Sequence, residues 1–392
     1  MIKSLSLNVS LLKRGLRYAI DDVVYAHAFK KSSRRIVILI ASPFGLLTSY
    51  DLNTIAIYQE RIAQSGQSGA LSLLKEPTMR STTSPLVAAD LAAIHSTLAV
   101  SGHAWPPLQP RTWQALTDVA VDWTIIWLAV WGAFTMGRWA MLVAVFAIGN
   151  RQRALGNLLH DAAHRNLSSR PGINDKIAHL FLAPSLFNSL TLYRQQHAKH
   201  HAWLGDPAGD PDFIPHVTQK GDRWFHAYVR VLKDPVRWSG SLFGHLLSKH
   251  LAARQRLRVL LWWAIYEALL SVAVGMHFAL LFGLLWMTAR ATVFHAITTF
   301  REMTDHYGLD PHGIFPFTRD IPDHRLVSIL LHPHHNGYHL THHLFPNIPY
   351  YHLPAVHARL NRLPLFERRA IVCHAYLGGT RAAVSGWGAW HA

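Results

Sequence analysis

Cysteine is almost missing from this chain, since Cys373 is the single one among 392 residues. One cysteine excludes an intramolecular disulfide, a zinc site built from several thiolates and an iron–sulfur cluster. Charge is also scarce: 15% of the residues are Asp, Glu, Lys or Arg, whereas 50% are hydrophobic. This composition is low in charge for a soluble enzyme and too apolar for a disordered chain.

Acidic residues are the scarcer of the two charged types. The chain has 22 Asp or Glu against 38 Lys or Arg, which gives a formal net charge of +16. A charge of this sign suits nucleic acid or an anionic membrane surface. The sequence has no nucleic-acid-binding motif, and its long apolar runs favour the membrane.

Histidine is abundant, with 28 residues in all, and eight of them fall into three compact boxes. The boxes are His160-Asp-Ala-Ala-His164, His197-Ala-Lys-His200-His201 and His339-Leu-Thr-His342-His343. On a helix, residues three or four positions apart lie on one face, so each box can direct several imidazoles to one region. Eight imidazoles exceed the four ligands of one zinc ion, and we therefore predict two metal ions.

Four apolar segments form two predicted membrane hairpins, at residues 119–136 and 139–149, and at residues 259–274 and 277–299. The second segment is too short to cross a bilayer unless its helix continues into the first histidine box. Residues 194–258 carry 11 Lys or Arg, whereas the two short turns carry one, Arg138. The positive-inside rule therefore puts this long connection, both termini and all three boxes on the cytoplasmic side of an inner membrane.

The expected fold is an all-α polytopic membrane protein with four transmembrane helices in two hairpins and a cytoplasmic helical cap that holds the boxes. Residues 79–392 would form this single domain. Residues 1–78 differ in character from the rest, and Met79 is followed by a polar stretch typical of a natural start. We therefore expect residues 1–78 to be an N-terminal extension outside the native fold.

The three boxes, in this order and with membrane spans between them, resemble the membrane fatty acid desaturase superfamily. The resemblance extends to the segments Gln152-Arg-Ala-Leu-Gly-Asn-Leu-Leu-His160, Asp206-Pro-Ala-Gly-Asp-Pro-Asp212 and His334-His-Asn-Gly-Tyr-His339. It implies a non-haem centre of two iron ions that uses dioxygen and two external electrons. It also implies a ninth histidine ligand after the last membrane helix, a position that His306 occupies.

Carboxylates near the boxes are expected to accept the second ring N–H of the ligating imidazoles, because metal-bound histidines usually donate that proton. The candidates are Asp161, Asp210, Asp212, Glu302 and Asp305. Glu302 lies one helical turn before His306, so it could also bind a metal through water. The histidines around the third box are interpreted as neighbours or surface residues: His332, His334, His335, His352 and His357.

Two charged residues, Glu267 and Arg290, fall inside the second predicted hairpin, where an unpaired charge is costly. The sequence leaves two explanations open. The two side chains could pair with each other, or Arg290 could extend to the cytoplasmic interface.

The predicted activity is desaturation, in which two hydrogens are removed from an acyl chain or lipid-like substrate. Hydroxylation at the same centre and desaturation of an amino-acid-derived metabolite remain alternatives, because the boxes do not separate them. A metal transporter is a remote alternative, which predicts ligands at mid-membrane depth. The sequence contains no haem-binding or ferredoxin-like domain, so a separate ferredoxin-like or b-type cytochrome partner is expected to supply electrons.

Overall fold

The computed structural model describes residues 83–101, 108–322, 326–379 and 381–388, together with three short strands earlier in the chain. By its contacts the chain divides into two units, residues 1–80 and residues 81–392. In the first unit, β1 (Tyr25–Ala26), β2 (Ile38–Ala41) and β3 (Leu47–Tyr50) pair in antiparallel order. The predicted extension at residues 1–78 lies outside the described residues except for these strands, so it stays a prediction.

The second unit is mostly helical, as predicted. Its elements, in chain order, are α1 (Pro85–Val100), α2 (Thr112–Met136), α3 (Arg138–Ala163), α4 (Pro171–Ile177), a π-helical turn (Ala178–Leu182), α5 (Leu190–Ala202), α6 (Trp224–Leu232), α7 (Pro235–Phe243), α8 (Ala253–Ala273), α9 (Met276–Ala289), a second π-helical turn (Arg290–Phe294), α10 (His295–His306), α11 (Ile314–Phe317), β4 (Arg319–Asp320), α12 (Leu326–Leu331), α13 (His339–Leu344), a 3₁₀ turn (Tyr350–His352), α14 (Leu353–Leu360), α15 (Pro364–Arg369) and β5 (Ile371–Val372). Strands β4 and β5 pair in parallel.

The first hairpin consists of α2 and α3, which meet at Gly137. This glycine has a φ of +80°, a conformation that other residues rarely adopt. Helix α3 then runs without interruption through Asn150 and Arg151 to the first histidine box. The expectation that this helix continues from the hairpin into the box is confirmed.

The second hairpin consists of α8 and the continuous helical segment Met276–His306, which contains α9, the second π-helical turn and α10. Gly275 forms the turn with a φ of +117°. The segment ends at His306, the predicted ninth ligand. Its π-helical turn starts at Arg290, and such turns occur frequently at functional sites.

Among the described residues, two helical segments are long and apolar enough to cross a membrane, Thr112–Met136 and Met276–His306. The other two members of the predicted hairpins are helical, but both carry charges in their sequences, such as Arg151 in α3 and Glu267 in α8. The structure therefore supports two of the four predicted spans. Large apolar side chains such as Leu128, Leu269 and Leu280 are exposed on these hairpins, as expected for a surface that faces lipid.

An aromatic core joins the two hairpins. Trp123 stacks on Trp286 with ring centroids 5.5 Å apart, and Phe282 stacks on the same indole at 5.7 Å. Trp286 and Phe282 are completely buried. Aromatic pairs in this arrangement add to the stability that burial already provides. The core thereby holds the histidine-bearing ends of α3 and α10 beside each other.

Gly149 lies at a close approach between the two hairpins. A Cβ atom at this position would lie 2.6 Å from Val293 Cβ and 2.9 Å from the backbone nitrogen of Phe294. The backbones of α3 and of the second π-helical turn can therefore pack at this distance only because residue 149 has no side chain.

We predict that Gly149→Ala destabilises the protein by about 1–3 kcal/mol, because the added methyl forces the two segments apart. The melting temperature of the protein in detergent measures this effect. Gly132→Ala in α2 is the matched control, since a Cβ there meets no atom within 4 Å and replacing an interior helical glycine is favourable. Equal melting temperatures for the two variants would contradict the close contact.

Candidate metal centre

The nine predicted histidines come together in two groups. The first group contains five imidazoles, from His160, His164, His197, His201 and His342. The second contains four, from His200, His306, His339 and His343. Within each group, one nitrogen from each ring lies within 4.8 Å of the corresponding nitrogen of every other ring.

Helical periodicity explains how the boxes divide between the groups. In the second box, His197 and His201 are four residues apart and join the first group, whereas His200 joins the second. In the third box, His339 and His343 share the second group, whereas His342 joins the first. Adjacent residues point about 100° apart on an α-helix. Two helices, α5 and α13, therefore each contribute to both groups.

The Nε2 atoms point into the groups. His197 Nε2 lies 2.8 Å from His164 Nε2 and 3.0 Å from His201 Nε2. In the second group, His339 Nε2 lies 3.0 Å from His306 Nε2 and 3.1 Å from His343 Nε2. A neutral imidazole carries one N–H proton, on either Nδ1 or Nε2. One Nε2 atom therefore has at most one proton to donate, and it cannot make favourable hydrogen bonds of this kind to two other Nε2 atoms unless some of them act only as acceptors.

The opposite ring nitrogens of two histidines have partners that fix their tautomer. His200 Nδ1 donates to Asp210 Oδ1 at 2.8 Å, and His306 Nδ1 donates to the carbonyl oxygen of Phe317 at 2.8 Å. With the proton on Nδ1, the Nε2 lone pair of each neutral ring faces its group. This is the arrangement in which protein imidazoles usually bind metals.

The loop that follows the second box holds Asp210 in place. Asp210 is buried, and its carboxylate accepts the backbone N–H groups of Gly205 at 3.0 Å and Asp212 at 2.8 Å. Asp206 accepts the N–H groups of Ala208 and Gly209 and closes the turn. The Asp206–Asp212 stretch is thus both a turn-rich loop and the support for a histidine.

The other predicted carboxylates occupy different positions. Asp305 lies 3.5 Å from His339 Nε2 and pairs with Arg301 at 2.9 Å. Asp161 Oδ1 lies 3.7 Å from His160 Nδ1, and Asp161 Oδ2 accepts the N–H of Tyr350.

Asp212 and Glu302 stand apart from the groups. Asp212 has a side chain 59% exposed, and its carboxylate lies 4.0 Å from His200 Nδ1. The carboxylate of Glu302 lies 3.5 Å from Arg237 Nη1 and belongs to neither histidine group. Its side chain turns toward α7, although it lines the same cavity as His306, and binding of Glu302 to a metal through water stays a prediction.

Sequence reasoning missed Asp320, which orients the third box. This residue is completely buried, accepts the backbone N–H of Thr341 at 3.0 Å and the hydroxyl of the same residue, and bonds to His357 Nδ1 at 2.6 Å. Thr341 lies between the box histidines, so Asp320 sets the position of α13. No local motif marks Asp320, because it lies in strand β4, 19 residues before His339.

Burial keeps the clustered imidazoles neutral. Burial lowers the pKa of five of these histidines far below the ordinary value, and the proximity of other imidazoles lowers it further. The five are His197, His201, His339, His342 and His343. The pKa of His164 falls to about 3 for the same reasons. His200 is the exception: burial lowers its pKa, but its hydrogen bond to Asp210 outweighs this and raises it.

The donor set fits metal ions. His160 Nε2 is buried without a hydrogen-bond partner in the described part of the chain, and its ring centroid lies 4.4 Å from that of His197. Neutral imidazole nitrogens suit iron, zinc, copper or nickel, and cations between the Nε2 atoms would satisfy the lone pairs that otherwise face one another.

A cavity of about 340 Å³ adjoins both groups. Its wall includes His160 and His197 from the first group and His200, His306 and His339 from the second. Its volume is at the lower end of the range found for small-molecule sites. A substrate in this cavity would therefore lie directly beside the imidazoles.

Comparison with known proteins shows a match between residues 137–375 and the family model described as "Fatty acid desaturase". The matched region contains all nine histidines of the two groups.

Three curated relatives are also similar. A dihydrorhizobitoxine desaturase from Bradyrhizobium elkanii is 28% identical over 62% of this chain and 74% of its own length. An sn-1 oleoyl-lipid 12-desaturase from Synechocystis sp. is 27% identical over 51% of this chain and 62% of its own length. An sn-2 acyl-lipid omega-3 desaturase (ferredoxin) from Arabidopsis thaliana is 26% identical over 65% of this chain and 62% of its own length. Because the family model covers more than half of the chain, the protein belongs to the fatty acid desaturase family and is an oxidoreductase.

Proposed function

We propose that the protein is a dioxygen-dependent desaturase that removes two hydrogens from neighbouring carbons of an acyl chain or lipid-like substrate. The observation that carries this proposal is the division of nine buried imidazoles into two adjacent groups beside one cavity. In the overall reaction, the two hydrogens of the substrate, together with two protons and two external electrons, reduce one dioxygen molecule to two waters.

We assign one iron ion to each histidine group. His160, His164, His197, His201 and His342 would hold the first, and His200, His306, His339 and His343 the second. When bound, a pair of iron ions supplies the oxidising power from dioxygen that an unactivated C–H bond requires. Zinc is not redox-active, so a pair of zinc ions on the same ligands would not support this reaction.

The chain's own residues prepare the site in two ways. Asp210 and the Phe317 carbonyl hold His200 and His306 with their Nε2 lone pairs directed inward. Burial keeps the rings other than His200 neutral at physiological pH, so no proton has to leave these rings before a metal binds. Both effects remove part of the cost of assembling the ligands.

The proposed membrane arrangement has four transmembrane helices, α2, α3, α8 and the continuous segment Met276–His306, with the histidine groups on the cytoplasmic side of an inner membrane. The groups form at the ends of α3 and α10, not midway along them, which favours an enzyme at the interface over a transporter. A separate ferredoxin-like or b-type cytochrome partner would deliver electrons from the cytoplasm.

A metabolite that is not a membrane lipid is the second candidate substrate. One of the three relatives is named for dihydrorhizobitoxine, whereas the other two are named for lipids. The family alone therefore favours neither substrate.

The metal content of the purified protein tests the proposed chemistry. We expect about two iron ions per chain and little zinc, and turnover of dioxygen that depends on a reductant and a substrate. Lipid analysis of cells with and without the gene should then reveal an added double bond. Stoichiometric zinc, with no activity after anaerobic loading with iron and reductant, would contradict the proposal.

Removal of one imidazole should affect one metal ion. We expect His306→Ala to reduce the iron content toward about one ion per chain and to abolish turnover, because the second group retains three imidazoles. His277→Ala is the control, since this histidine is exposed at the opposite end of the same helical segment. Full iron content and near-normal turnover in His306→Ala would remove His306 from the ligand set.

Asp210 and Asp212 form a matched pair of acidic residues on one loop. Asp210→Asn should lower iron affinity about tenfold to hundredfold, because an amide holds the proton of His200 Nδ1 less strongly. Asp212→Asn should leave iron affinity nearly unchanged, since its carboxylate is exposed and 4.0 Å away. Competition with a chelator measures both affinities, and the reverse order would show that the loop changes position when metal binds.

A further inference from the structure

Arg290 lies near the middle of the continuous helical segment Met276–His306, yet its side chain is only 1% exposed. Of the two arrangements that its sequence position suggested, the structure does not show the pairing with Glu267. Arg290 extends instead toward α7, which belongs to the long connection at residues 194–258. Its Nε donates to the carbonyl oxygen of Leu242 at 3.0 Å, and its Nη2 donates to that of Ser241. Both carbonyls belong to the last turn of α7, whose partial negative charge favours a cation.

The hydrogen bonds to the end of α7 use two of the three guanidinium nitrogens of Arg290. The remaining nitrogen, Nη1, is buried and has no hydrogen-bond partner among the described residues. Arg290 lines the same cavity as the histidine groups. Buried donors are nearly always hydrogen-bonded, and an unsatisfied donor on a charged group is especially costly. A molecule in the cavity can therefore supply the hydrogen-bond acceptor that Nη1 lacks.

Thr298 supplies a second unsatisfied polar atom in the same cavity. Its side-chain oxygen is buried without a partner in the described part of the chain, and the residue is 7% exposed. Thr298 lies eight residues after Arg290 and eight before His306, and all three line the cavity. A hydroxyl donor and a guanidinium donor facing one cavity are suited to an oxyanion.

The charged side chains around the cavity also favour an anionic ligand. Arg301 pairs with Asp305 at 2.9 Å, and Arg237 pairs with Glu302 at 3.5 Å. Arg290, in contrast, has no carboxylate partner among the described residues; its guanidinium carbon lies 4.7 Å from the centroid of the Phe294 ring.

Arg153 is the second such cation. It is buried on the α3 side of the cavity and bonds to the neutral side chain of Asn157. The cavity wall carries these four arginines against three carboxylates, Asp212, Glu302 and Asp305, which leaves one positive charge in excess. An uncharged acyl chain would bury its methylene groups against these cations and satisfy none of them.

We propose that Arg290 and Thr298 bind an anionic group of the substrate, a carboxylate or a phosphate, inside the cavity. This inference rests on the proposed desaturation at the histidine groups and names the class of molecule that reaches them. The substrate is an amphiphile whose anionic group enters the cavity with the reacting carbons, so it is not an uncharged acyl chain of a membrane lipid. Arg153 contributes to the positive potential without direct contact.

Helix geometry gives a scale for the substrate. Thr298 and His306 are eight residues apart on α10, which corresponds to about 12 Å along the helix axis. Because Arg290 lies eight residues further from His306, the reacting C–H bonds would lie at least on the order of 10 Å from the anionic group.

Binding of matched eight-carbon probes tests the proposal on the purified, iron-loaded protein in a non-ionic detergent. The probes are octanoate, octyl phosphate and octanol, which share a chain and differ in the polar group. We expect one or both anions to bind at least tenfold more tightly than octanol in calorimetric titration. The stronger of the two anions identifies the group as a carboxylate or a phosphate.

Variants locate the site of binding. Arg290→Gln should weaken anion binding at least tenfold and leave octanol binding unchanged, whereas Arg290→Lys should retain part of the preference for the anion. Arg237→Gln is the matched control, because Arg237 lines the same cavity but already has a carboxylate partner. It should bind the anions within twofold of the wild type.

Two results would overturn the proposal: equal binding of octanol and both anions to the wild type, or unchanged anion binding in Arg290→Gln. If Arg290→Gln does not fold because the cap of α7 is lost, Thr298→Val decides, since it removes only the hydroxyl and should weaken anion binding several-fold. These outcomes are independent of turnover. A protein that binds anions as expected but lacks iron or desaturation would contradict the proposed function and leave the anion site intact.

Discussion

The fold depends on bringing nine neutral imidazoles into contact with one another. Rings that face each other through Nε2 at about 3 Å, as His197 and His164 do at 2.8 Å, have few protons to share. Such a cluster is stable when cations occupy the space between the rings. Every element that carries a box must therefore be held in place by contacts outside the cluster, and the hairpins, the loop at Asp210 and the strand at Asp320 supply those contacts.

The two groups share their supports. Helices α5 and α13 each send histidines to both groups, because adjacent residues, such as His200 and His201 or His342 and His343, point about 100° apart on a helix. A displacement of either helix would disturb both histidine groups together. This explains why α13, which has only six residues, is anchored by Asp320 through both the backbone and the hydroxyl of Thr341.

Much of this arrangement could be predicted from the sequence, because box spacing and apolar runs are local signals. The helical fold and the continuation of α3 into the first box followed from them, whereas the gathering of His306 with the boxes was implied by the family resemblance. The orientation of acidic side chains did not, since Asp212 and Glu302 had the same proximity in sequence as Asp210 and Asp305. No sequence pattern marked Asp320, because its contact with Thr341 depends on how strand β4 packs against α13 in the folded chain. Arg290 was recognised as costly, but its carbonyl partners on α7 could not be identified before the fold was known.

The cavity connects these features to the substrate. Its wall combines histidines of both groups with buried arginines, so positive charge lies beside the proposed metal ligands, where an uncharged acyl chain would need only apolar contacts. Under the proposed function, this combination restricts the class of substrate more than the histidine boxes do.

The central claim is that each histidine group holds one iron ion. Anomalous X-ray scattering from crystals of the iron-loaded protein, recorded on both sides of the iron absorption edge, tests it most directly. The account predicts two iron peaks, one surrounded by His160, His164, His197, His201 and His342, and the other by His200, His306, His339 and His343. A single iron peak shared by both groups, or iron bound elsewhere in the chain, would contradict it.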